Sequence, residues 1–135
     1  MSDHNLSYRI TVDDIDPTLA AIVAGFGEDY VYRGSPEADR FTPPCRYVHG
    51  DNKPGCIVAQ FLARHGVPME ELARLEGMRP STGGFLPGRL TPATALVLSH
   101  IQRAQDGRAT WGDCRRLAQR YISGLRKLDH GVDPE

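Results

Sequence analysis

Thr91-Pro92 fixes the start of a helix more firmly than any other pair in this chain. The hydroxyl can accept from an orphan first-turn amide, and the proline ring presets φ where its missing N–H costs nothing. From there an apolar stripe, Ala93, Leu96, Val97, His100, Ile101 and Ala104, runs four turns to Gly107. Thr110 then caps a last helix, with Asp113 three residues on as a shortened capping box. Its core face reads Trp111, Cys114, Leu117, Ala118, Tyr121, Ile122, Leu125 and Leu128. Two amphipathic helices separated by a turn this short predict a helical hairpin.

An earlier pair of helices is predicted after Gly55. Ile57, Val58, Phe61, Leu62 and His65 fall at helical spacing, and Gly66 stands where a left-handed cap is wanted. Pro68 opens the next helix with Glu70 and Glu71 in its first turn, Leu72, Ala73 and Leu75 face inward, and Gly77 closes it. Met78 to Arg89 is loop by composition. Ahead of Gly55 the pattern differs. Leu6–Val12 alternates, Tyr30–Arg33 and Cys45–Val48 read as short extended runs, and a short helix starts at Asp16-Pro17 and ends at Gly25 or Gly27.

The expected class is therefore α+β with helix dominant: a small N-terminal antiparallel sheet with a short helix, then four helices in two hairpin pairs. All 135 residues read as one domain, with a sheet-containing part over 1–55, a helical part over 56–130 and an acidic tail over 131–135.

Net charge is −1, which argues against a protein devoted to coating nucleic acid, but the charge is unevenly spread. Residues 1–44 hold three basic and eight acidic side chains, whereas residues 103–127 hold seven basic and two acidic ones. On the last helix, Arg116, Arg120 and Lys127 lie opposite the apolar stripe, with Arg115 and Arg126 beside them. Such a one-sided basic face suits phosphate, an acidic protein, or the chain's own acidic N-terminal third; a solvated helix surface is its ordinary reading. The acidic run Asp13-Asp14-Ile15-Asp16 lacks the glycine and terminal glutamate of a calcium loop, and reads as a helix start.

Three cysteines with no secretory signal ahead of them imply reduced thiols in a cytoplasm. No apolar run is long enough to span a membrane. Cys45, His49 and Cys56 have C-x3-H-x6-C spacing, with His65, His100 or Cys114 as a fourth zinc ligand. The spacing lacks a tight CxxC knuckle, so no cofactor is assigned; Cys45 and Cys56 stand as free, bridged or metal-bound. Cys56 opens a helix, where a thiol pKa falls, and with His49 as base it would be the nucleophile of a cysteine-dependent enzyme. Apolar Ile57 and Val58 beside it argue for burial instead. Residues 69–86 have the small-residue spacing of a helix-turn-helix, but Pro80, Gly83 and Gly84 would sit inside its reading helix.

Cys45-Arg-Tyr-Val48, Pro54-Gly-Cys-Ile-Val58, Gly66-Val67, Gln105-Asp-Gly107 and Thr110-Trp-Gly112 together resemble small uncharacterised proteins of actinobacteria and their phages. The resemblance covers roughly residues 45–120, departs at Ala59, where that group often has glycine, and agrees with 14 Arg against 2 Lys. It implies origin and fold, with no activity attached; the motifs themselves read as architecture, Trp111 packing and Gly107 and Gly112 permitting sharp turns. The functional expectation is a non-catalytic module in the bacterial host cytoplasm that binds a macromolecule, foremost a host protein whose action it modulates. Arg115, Arg116, Arg120 and Lys127 are its candidate contacts, with Met78–Arg89 as a second surface. A DNA-binding regulator with a degenerate helix-turn-helix is the alternative, and a cysteine-dependent enzyme the third reading.

Overall fold

The computed structural model describes residues 9–33, 47–49, 52–82, 84–86 and 88–130, the last four of these for backbone only. A 3-10 turn at Val12–Asp14 leads into α1 (Ile15–Phe26); α2 (Ile57–Arg64), α3 (Met69–Arg74), α4 (Pro92–Asp106) and α5 (Trp111–His130) follow.

Local chemistry accounts for most of the boundaries. Asp14 Oδ2 accepts from the Thr11 amide at 2.8 Å and so closes the entry to α1. Gly27, at φ 105°, ends it with a bond from its amide to Val23 O. Thr91 Oγ1 accepts from Thr94 N at the start of α4, and Thr110 Oγ1 from Asp113 N at the start of α5. The start of α2 is capped from far away: the Ile57 amide donates at 2.7 Å to Oε1 of Gln105, on the last turn of α4.

The α4–α5 hairpin is the most extensive pairing in the fold, and α1 lies along α5. α2 is buried through Ile57, Val58, Ala59, Phe61 and Leu62 and packs on α1 and α4 rather than beside α3. Each of these side chains other than Ala59 contributes about 1.5–3 kcal/mol when withdrawn from water. The six-residue α3 has only Leu72 to bury, too little to form the expected first hairpin. The buried side chains make one cluster, from Ile10 through Trp111 to Ile122.

The expected N-terminal antiparallel sheet does not form among the described residues. Among the described residues there is no β-strand, only isolated bridges pairing Ile10 with Leu90 in parallel and Val48 with Pro54 in antiparallel fashion. The reason lies in where the backbone groups find partners. Ile10 N donates to Arg89 O at 2.7 Å and Ile10 O accepts from Thr91 N at 3.2 Å, so this segment rests on the entry to α4. The carbonyls of Glu28 and Tyr30 accept from the first amides of α5, Gly112 at 3.0 Å and Trp111 at 2.8 Å, and Tyr32 O accepts from Arg108 Nη1. Helix-end donors have taken the acceptors that a sheet would need. The Leu6 and Tyr8 end of the first expected strand, Cys45 and Arg46 of the third, and the 131–135 tail lie outside the described residues.

Candidate functional site

α5 carries the candidate contacts, and its two flanks have different surroundings. One flank meets the acidic entry to α1. Arg115 forms a bidentate pair with Asp16, Nε to Oδ1 at 2.8 Å and Nη2 to Oδ2 at 3.2 Å, and Gln119 Nε2 adds a third bond to Asp16 Oδ1. This guanidinium holds the Asp16 carboxyl below its ordinary pKa. About two turns beyond Gln119, Arg126 Nε reaches Asp13 Oδ1 at 2.7 Å. Arg116 bridges Glu28 Oε1 at 3.1 Å and Asp113 Oδ1 at 2.5 Å. Asp16, Gln119, Ile122, Ser123 and Arg126 line a shallow open groove of about 190 Å³ on this flank.

The charge asymmetry of the sequence is thus largely closed within the molecule. Three arginines of α5 are held by Asp13, Asp16, Glu28 and Asp113. Arg120 is exposed and makes no ion pair among the described residues. The Lys127 side chain lies outside the described residues.

The opposite flank turns toward the outer edge of α4. His100 and Tyr121 stack with ring centroids 4.3 Å apart and planes 12° from parallel. Leu117 and Leu125 are half-buried beside Tyr121 on successive turns, while Leu96, one turn before His100, is 40% exposed. Arg103 is also exposed and makes no ion pair among the described residues. Sequence periodicity assigned Leu96 and His100 to the buried stripe of α4. Its buried arc is instead Ala93, Thr94, Val97, Leu98, Ser99, Ile101, Gln102 and Gln105, and the two assigned residues sit at the arc's outer edge.

The base of α5 is built around Gln105, which sequence reasoning noticed only inside a motif. Its Oε1 accepts from both Ile57 N and Trp111 Nε1, and Trp111 is fully buried. A Cβ at Gly112 would stand 2.7 Å from Glu28 O, so only glycine lets that segment lie against the helix start. Tyr30 and Phe26 meet the Trp111 indole edge-on, at 4.5 and 4.8 Å between centroids.

The candidate metal and thiol residues are dispersed. Cys56 is fully buried at the start of α2. Cys114 is buried as well; its thiol donates to Ile101 O at 3.7 Å, and burial pushes its pKa up to about 12. His49 Nε2 lies 2.9 Å from the Tyr32 hydroxyl. The Thr18 hydroxyl donates to Asp14 O, so its oxygen accepts from His65 Nε2–H at 2.9 Å, and burial holds the His65 imidazole below its usual pKa. Cys45 lies outside the described residues, among which no group of three or more His, Cys, Asp or Glu side chains is placed to hold a metal ion. In the Met78–Arg89 loop, Phe85, Leu86 and Arg89 point into the fold, and residues 79–82 and 84–86 form turns where a reading helix would have to be.

No helix of the described residues is long and apolar enough to cross a membrane. Comparison with protein-family models, curated proteins and solved structures returns no match for the chain.

Proposed function

We propose that this protein is a non-catalytic binding module that docks on another protein, and that it acts in the cytoplasm of an actinobacterium as a phage or prophage product modulating a host protein. One observation carries the docking: Arg103 and Arg120, the two arginines of the hairpin helices with no ion pair among the described residues, flank the half-exposed Leu96, His100, Leu117 and Tyr121 strip. A partly apolar surface bordered by uncommitted cations is the composition of an interface rather than of a solvated helix. The origin rests on the motif resemblance and on the preference for arginine over lysine.

The test is affinity capture from actinobacterial lysate with the wild-type chain and with the double variant Arg103→Glu, Arg120→Glu, together with growth on expression in the host. A specific protein retained by the wild type and lost by the variant supports the reading. No specific partner and no growth effect overturns it. So does binding to duplex DNA that weakens steeply with salt, which belongs to a regulator, or rapid alkylation of Cys56 in the folded protein, which belongs to an enzyme.

A further inference from the structure

From the geometry of the α4–α5 strip we infer its occupant: an amphipathic helix of the partner protein whose apolar stripe is flanked by carboxylates. This rests on the binding-module reading and adds the partner's chemistry to it.

The His100–Tyr121 stack sets the register of the antiparallel hairpin. Counting outward from it, Leu96 on α4 stands level with Leu125 on α5, and Ala104 level with Leu117. All of these are exposed or half-buried, so the strip follows the seam between the two helices. Leu117 to Leu125 spans two helical turns, about 12 Å along the axis. That length takes two to three side chains of a partner helix at i, i+4 and i+7, the spacing by which an amphipathic helix lies in a groove.

Charge then selects the helix. Arg103 borders the strip from α4 and Arg120 from α5, both exposed. The acids Asp13 and Asp16 are engaged by Arg126 and Arg115 on the other flank, and Glu28 by Arg116, one turn before Arg120. Carboxylates on both shoulders of the incoming stripe would meet these two guanidiniums at the rim, where such pairs govern partner choice more than raw affinity. A second copy of this chain is a poorer fit, because it would bring another Arg103 and Arg120 to the same strip.

Two synthetic helical peptides test this against the full-length chain: one with Leu on one face and Glu on both shoulders, and its twin with Lys replacing every Glu. The expected result is binding of the Glu peptide alone, with amide shifts concentrated on Leu96, His100, Leu117 and Tyr121. Affinity should weaken by about tenfold or more in the Arg103→Glu, Arg120→Glu double variant, since two rim pairs become repulsions. Leu96→Asp, at an exposed position and with its fold verified by circular dichroism, should weaken it independently. Equal binding of both peptides, no binding of the Glu peptide at concentrations that saturate a micromolar site, or a wild-type dimer broken by Leu96→Asp overturns the inference. If the peptides fail while lysate capture still yields a partner sensitive to the double variant, only the acidic-helix chemistry falls and the module reading stands.

Discussion

The base of α5 and its length are held by different physics. At the base, Trp111 Nε1 and Ile57 N share the Gln105 acceptor out of reach of water, and the Glu28 and Tyr30 carbonyls cap the first amides of α5. Along its length, the attachments to the α1 entry are ion pairs open to solvent, with Asp16 and Arg115 side chains 36% and 29% exposed and Asp13 and Arg126 more so. A buried donor stripped of its acceptor costs its full desolvation, whereas an exposed ion pair exchanges one set of favourable contacts for another. Two regions that look equally well bonded should therefore differ several-fold in their contribution to stability.

The largest expected effect is Gln105→Leu, which keeps the bulk but strands both donors, at about 1–3 kcal/mol each. Chemical denaturation should register a loss of about 2–6 kcal/mol; a loss below about 1 kcal/mol would break the contrast. Gly112→Ala comes next. The new methyl must push the Glu28 backbone away, at about 1–3 kcal/mol, and Ala at the exposed Gly124, further along α5, where nothing lies within 4 Å of the added carbon, is the harmless control.

Asp16→Asn should cost about 0.5–1 kcal/mol at low ionic strength and less in high salt, since the pair it breaks is solvent-accessible. Its pH dependence sharpens the contrast. The folded state holds the Asp16 carboxyl below the ordinary value of 3.8, so the unfolded chain binds the proton more readily. The contribution is complete above that ordinary value and disappears as pH falls through the lower folded-state pKa. Wild type and Asp16→Asn stabilities should therefore converge in acid and separate toward neutrality. The smallest effect is expected at Arg120→Glu, where no ion pair among the described residues is lost: stability within about 0.5 kcal/mol of wild type, while partner binding falls.

The same division marks what could be read from the sequence. Thr91-Pro92, Thr110, Gly27 and Gly66 act within a few residues of themselves, and each bounds a helix where expected. The sheet was misread because Tyr30–Arg33 has strand-like side chains while its carbonyls face helix amides distant in sequence, which local pattern cannot reveal. The basic face was legible as one-sided. Its partners were legible only as a choice of three, and Arg115, Arg116 and Arg126 take acids of this chain. Periodicity places Leu96 and His100 inward because a helix buried over most of its circumference leaves it little contrast with which to find the outer edge.

The single tryptophan of the chain is the residue in which these attachments meet. Its indole is shielded from solvent and ringed by Phe26, Tyr30 and Tyr32, so its emission should lie toward the blue in the native protein and move to the red when the base of α5 opens. The chain thus carries a built-in optical gauge of the junction between its first and last helices, readable without any label.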